Sequence, residues 1–310
     1  MSENLVPFGT TSQRQGDMAS DVKSKPQFDQ IVYDSGLVRI GAFRCHPANP
    51  SFQDSGPAQN YCFVFPRTAV EIQHEHEVPF VANSNVVTFY NSGQTYSRSA
   101  ISPEGDNCDW FGVESHLVRE VVREFDRRVD DHPERPFQVT RGWADSSTYL
   151  LQRNLFSRAT SGEFLEPLAI EETVLDLLIR VVNSVYSGLR RATPLRISTK
   201  QRDIIRDVET ILSRDPEERL ALKDIASSVG SSPFHLCRLF RNVTGMKLHQ
   251  YRLRFRLRAG LTEVVESANS LTDIALRTGF SSHSHFTESF RNEFGATPST
   301  LRTMRTEKRA

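Results

Sequence analysis

Two groups of side chains near the C-terminus are spaced to read a surface. Phe234, Cys237, Arg238 and Arg241 recur at helical intervals, as do His283, Ser284, Thr287, Glu288 and Arg291. In a helix they fall opposite an apolar stripe, made by Leu236, Leu239 and Phe240 in one stretch and by Phe286 and Phe290 in the other. Arg on an open helix face can donate to guanine O6 and N7, and Ser or Thr can bond to base edges. Ser232 and Ser282 stand where each helix would be capped, and a helix N-terminus can grip a phosphate.

Other residues point to different chemistry. His74 and His76 form a His-x-His pair on an expected strand, which sets both rings on one face and Glu75 and Glu77 on the other. His46, His116 or the thiols of Cys45, Cys62 and Cys108 could complete a metal site. The pair is a weak candidate; the plainer reading is an exposed strand end, and no cofactor is expected. Phe63, Phe65, Phe89, Tyr90, Tyr96, Trp110 and Phe111 could line a pocket or merely fill it, with Arg67 and Arg98 facing an anionic ligand.

The elements that must position these groups change character along the chain. Residues 1–30 are polar and read as a flexible leader. Between 31 and 114, short β-branched and aromatic runs are separated by Asn, Ser, Gly and Pro, the texture of a small β barrel or sandwich. From 115 to 190 the period becomes helical, with an amphipathic helix over 117–129 and further helices at 147–158 and 166–187. Residues 191–199 read as a linker, 200–305 as an all-helical domain and 306–310 as a flexible tail.

An internal repeat organises the helical end. Leu222-Lys-Asp-Ile-Ala returns as Leu271-Thr-Asp-Ile-Ala, and Phe240-Arg-Asn as Phe290-Arg-Asn. The offset grows by one residue between these pairs, so the second copy carries an insertion in the turn after Gly279. Each copy reads as a short helix, a Gly turn and a second helix closed by Gly. Between them, Arg252, Arg254, Arg256 and Arg258 lie on one long helix, with Arg256 able to pair internally and the rest readable as a solvated face.

Charge follows the same division. The 38 basic and 38 acidic residues cancel over 310 positions. Residues 200–310 hold 19 Lys or Arg against 13 Asp or Glu, a net of +6, and residues 1–199 hold 19 against 25, a net of −6. The basic end carries the repeat, as a polyanion-binding domain should. No Lys-led apolar segment opens the sequence and no stretch approaches the ~20 apolar residues of a membrane helix. An intracellular protein with free thiols is expected.

The last ~110 residues resemble the DNA-binding domain of the AraC/XylS family of transcription regulators. The resemblance is carried by Ile274 to Arg302, IALRTGFSSHSHFTESFRNEFGATPSTLR, and by DIASSVGSSPFHLCRLFRNVTG in the first copy. It implies seven helices and two helix-turn-helix units joined by a long helix. Its reading positions fall at Ser232, Phe234, Cys237, Arg238 and Arg241, and at Ser282, His283, Ser284, Thr287, Glu288 and Arg291. The family motif usually has Arg where this chain has Glu288. For the N-terminal half it implies a cupin-like β barrel with associated helices, for sensing or dimerisation, and hence an α+β chain overall.

The function so implied has no chemical step. It is a cytoplasmic regulator binding double-stranded promoter DNA as a homodimer, modulated by a small effector and contacting RNA polymerase if it activates. The alternative is a metal-dependent cupin-type enzyme, or a metal or redox sensor, fused to DNA-binding helices. A DNA-repair reading would need a reactive Cys in a Pro-Cys-His-Arg setting, and none is present.

Overall fold

The computed structural model describes residues 28–161, 165–191, 197–215, 217–218 and 220–307. Residues 1–27 of the expected leader, 192–196 of the expected linker and 308–310 of the expected tail lie outside this set.

Ten strands build two sheets: β1 (Asp29–Asp34), β2 (Val38–Cys45), β3 (Asp54–Ser55), β4 (Cys62–Pro66), β5 (Val70–His74), β6 (Phe80–Ala82), β7 (Val86–Tyr90), β8 (Tyr96–Ala100), β9 (Asp106–Val113) and β10 (Arg141–Trp143). One sheet runs β1-β2-β9-β4-β7-β10 and the other β3-β8-β5-β6, with every pair antiparallel. The expected β texture is present. β10 lies beyond it, contributed by a segment after the first helix that pairs with β7.

Strand alternation decides what each aromatic ring does. Phe63, Phe65, Phe89 and Phe111 project to the helix-covered face and are buried in the main core with Tyr149 and Val185. Phe63 stacks on Phe111 at 5.3 Å, and Phe65 meets the same ring edge-on at 5.9 Å. Their neighbours Cys62, Val64, Tyr90, Cys108 and Trp110 project to the opposite face and line a cavity. The lining role is therefore corrected for Phe63, Phe65 and Phe89: with Phe111 they fill the core, the other reading of these rings, one residue out of phase with the cavity wall.

Three helices complete the N-terminal half: α1 (Ser115–Arg123), α2 (Ser146–Thr160) and α3 (Pro167–Arg191). The helix expected through residue 129 stops early. Asp126 accepts from Arg128 N and starts a separate 3₁₀ turn at Arg127–Asp130. α3 buries Val174, Leu177, Leu178, Val181 and Val182 against the core. Each such side chain contributes roughly 1.5–3 kcal/mol on full burial.

Seven helices follow, as the resemblance implies: α4 (Thr199–Arg214), α5 (Leu222–Ser228), α6 (Pro233–Thr244), α7 (Leu248–Glu266), α8 (Leu271–Arg277), α9 (His283–Phe294) and α10 (Pro298–Glu307). A capping box between Ser198 and Gln201 starts α4. The first unit, α5 and α6, packs around its own core with α4, Tyr251 and the partly buried Trp143. The second shares the main core: Ile274, Phe280, Phe286 and Phe290 are continuous with the sheet and α2–α3. Phe280 is the inserted residue of the second copy, and it is buried against Phe286 at 5.2 Å.

The long helix α7 is no solvated arginine face. Arg258 is fully buried, stacks 4.5 Å from the Tyr149 ring centroid, and donates to the carbonyls of Ser84 and Ala144. Arg254 pairs with Glu293 at 2.8 Å. Arg252 and Arg256 both donate to the Glu218 carbonyl, so the expected internal pairing of Arg256 is present. Ion pairs between the halves run in both directions: Arg67 and Arg153 to Glu266, Arg141 to Glu209, and Arg206 to Glu71. Among the described residues no helix is long and apolar enough to cross a membrane.

Candidate nucleic-acid interface and ligand cavity

α6 and α9 are built alike. Ser232 Oγ accepts from His235 N and Ser282 Oγ accepts from His285 N, each at 3.2 Å. Pro233 occupies the first turn of α6, where its missing N–H costs nothing. Gly245 and Gly295 end the two helices at φ 73° and 77°, the left-handed region that favours glycine. Inward, Leu236 and Phe240 on α6 and Phe286 and Phe290 on α9 are fully buried.

The outward faces are open. Ser232, Phe234, Cys237, Arg238 and Arg241 are exposed on α6 or at its cap, and Ser282, His283, Ser284, Glu288 and Arg291 on or before α9. Thr287 is half-buried and lies 3.5 Å from His283 Nε2. Phe234 is 77% exposed, far more than a core residue. Among the described residues Arg238, Arg241 and Arg291 form no ion pair, whereas on α7 Arg254 pairs with Glu293 and Arg252, Arg256 and Arg258 donate to backbone carbonyls. Glu288 likewise holds no ion pair with Arg291. A groove lined by His283, Ser284, Thr287, Glu288 and Arg291 runs along α9. Each expected reading position thus lies on the surface of its helix, around a rigid apolar stripe.

The matching pattern in known proteins coincides with these helices. A helix-turn-helix domain model matches residues 225–304. Over 100 residues the chain is 37% identical to the probable transcription factor PqrA of Proteus vulgaris, a span of 32% of this chain and 80% of that protein. The chain belongs to the AraC/XylS family of transcription regulators. Other similar members are the transcriptional activator AarP of Providencia stuartii, 33% identical over 33% of this chain and 76% of AarP, and the right origin-binding protein of Escherichia coli K12. The latter is 34% identical over 33% of this chain, but the match spans only 35% of that protein. As an AraC/XylS-family chain it matches these relatives through its helical end.

The N-terminal half holds a second feature, a cavity of about 380 Å³ in the β domain. Of the residues expected to line a pocket, Tyr90, Tyr96, Arg98 and Trp110 do so, joined by Phe28, Asp29, Phe43 and Asp106. Arg67 does not. It pairs with Asp109 and Glu266, both at 2.9 Å, on the side facing α7. Asp29 and Asp106 escaped the sequence reading because a lone Asp at the first position of a strand carries no pattern.

The His-x-His pair is also corrected. β5 ends at His74, which is fully buried, whereas His76 sits in a turn at φ 64° with its side chain 90% exposed. The two rings therefore share no face. Among the described residues no group of three or more His, Cys, Asp or Glu is placed to hold a metal. Cys45 and Cys108 are buried, Cys62 is half-buried and Cys237 is exposed, all as free thiols.

Proposed function

We propose that this chain is a sequence-specific transcriptional activator that reads successive major-groove segments with α6 and α9. The observation that carries the reading is the pair of capped helices whose outward arginines have no ion-pair partner among the described residues, both packed on α7. Helix N-termini and Arg241 or Arg291 would fix the backbone, while Arg238 would read a base edge. The activator role draws support from similarity to AarP; contact with RNA polymerase would follow from it. Cytoplasmic placement beside the DNA follows from the same role.

Dimerisation would align two such readers on two half-sites. Its proposed surface is the outer stripe of α3, where Leu168 and Ile179 are exposed at 57% and 43% and Leu175 is half-buried between them. The β-domain cavity is the proposed effector site, since its volume suits a small metabolite. Selecting bound sequences from a random duplex pool and titrating the winner tests the reading. Arg238→Ala should weaken the selected site by ~1–3 kcal/mol and flatten preference at one base pair. A chain that enriches no sequence is not this regulator.

A further inference from the structure

Resting on the reading of the cavity as an effector site, we propose that its ligand is a cationic amine with an aromatic or apolar body, and that Asp29 supplies the counter-charge.

The charge balance of the cavity carries this. Its lining holds Arg98, Asp106 and Asp29. Arg98 is buried and held: Nη1 donates to Asp106 at 2.8 Å, Nε donates to the Phe52 carbonyl at 2.6 Å, and the guanidinium lies 4.4 Å from the Phe43 ring centroid. Arg98 and Asp106 form a buried ion pair, so together they add no net charge to the lining. Asp29 is different. Its Oδ1 accepts from Trp110 Nε1 at 3.0 Å, and its Oδ2 has no hydrogen bond among the described residues. The lining therefore carries one uncompensated negative charge.

That carboxylate is held in place. Asp29 lies on β1 and Trp110 on β9, with β2 between them in the sheet. Two strand spacings are about 9–10 Å, too far for a side chain that stands upright. Gly41 on β2 lies directly opposite Trp110 in the register. A Cβ at Gly41 would overlap the indole ring. Its absence lets the indole lie across β2 and reach Asp29. The same cavity presents Tyr90 and Tyr96, with ring centroids 4.9 Å apart. A carboxylate oxygen beside aromatic surfaces attracts an ammonium twice, by charge and by ring quadrupole, and repels a carboxylate. Asp29 is exposed as a residue, and partial desolvation of its carboxyl still raises the pKa, which the Trp110 bond and the Arg98 charge only partly offset. Such a group gains from a cation.

Isothermal titration of the full chain with phenethylamine, phenethyl alcohol and phenylacetate tests the assignment, because the three share a ring and differ in charge. The amine should bind ~tenfold or more tightly than either other probe, the gain of a charge-assisted contact. Asp29→Asn keeps an acceptor for Trp110 and removes the charge. It should lower amine affinity ~tenfold and leave phenethyl alcohol unchanged, with thermal melting confirming the fold. Phenylacetate binding as tightly as the amine overturns the proposal, as does an Asp29→Asn protein with undiminished amine affinity. Binding of the alcohol or the acid alone overturns the amine but keeps the cavity a receptor. Binding of none of the three overturns the proposal, while DNA affinity of the same sample reports separately on the regulator reading.

Discussion

Asn83 Nδ2 donates to Tyr251 Oη at 2.6 Å, and both residues are fully buried. The same amide donates to Ser213 Oγ at 2.7 Å, and Asn85 Nδ2 donates to the Tyr251 carbonyl at 3.0 Å. One loop of the β domain thus grips the end of α4 and the start of α7, the two helices that frame the first reading unit. Replacing Asn83 with Ala would leave two buried hydroxyls without this partner. The expected cost is about 1–3 kcal/mol, read from the urea midpoint. An unchanged midpoint would mean that water or rearrangement satisfies the hydroxyls equally well.

Buried arginines of the same interface should differ sharply in cost. Arg258 meets only carbonyls and an aromatic ring, and burial pushes its pKa down to about 10. Removing it loses two charge-assisted hydrogen bonds but also relieves a buried charge, terms of roughly equal size at about 3 kcal/mol each. Arg153 instead bridges Asp109 to Glu266, so its loss removes the fully buried cation that neutralises the buried Asp109 and leaves that carboxylate to the more exposed Arg67 and Arg44. Arg258→Met should change stability by less than ~2 kcal/mol, whereas Arg153→Met should cost ~3–5 kcal/mol. Equal denaturation midpoints for the two variants would refute this contrast.

Much of the helical end was legible in sequence because its burial is one-sided. Leu236, Leu239 and Phe240 mark a stripe only when the opposite face meets water. The β domain was legible in texture and not in phase. In Cys62-Phe-Val-Phe-Pro both faces are covered, one by helices and one by the cavity wall, so alternation carries no polarity to assign Phe63 and Val64 to sides. Three of the α7 arginines, Arg252, Arg254 and Arg258, misled for a related reason. A charged residue is read as solvated unless its partners are known, and those of Arg258 are backbone carbonyls at residues 84 and 144. No side-chain pattern announces them.

Acid should weaken the fold through His74. Burial pushes its pKa down to about 4, with the charge of Arg135 adding to the effect. Its Nδ1 lies 2.9 Å from Gln94 Nε2, and its Nε2 has no hydrogen-bond partner among the described residues. The unfolded chain takes up this proton near pH 6.5 and the native chain only near 4. Stability from the neutral ring is complete above about pH 6.5 and drains away as pH falls toward 4, by about 3 kcal/mol in all. Denaturation of His74→Phe across that window should show a correspondingly shallower slope. A slope identical to the parent's would assign the acid sensitivity elsewhere.

Glu288 should trade affinity for discrimination. It projects from α9 three residues before Arg291, exposed and without an ion pair to it. At a major-groove edge its carboxylate would accept from cytosine N4, and near any duplex it would repel phosphate. Glu288→Ala should therefore raise affinity for unrelated DNA while lowering preference at one base pair by ~1–3 kcal/mol. Anisotropy titrations against the selected site, its single-base variants and a random duplex separate the two effects. A rise in affinity for every duplex by the same factor would leave repulsion as the whole role of Glu288.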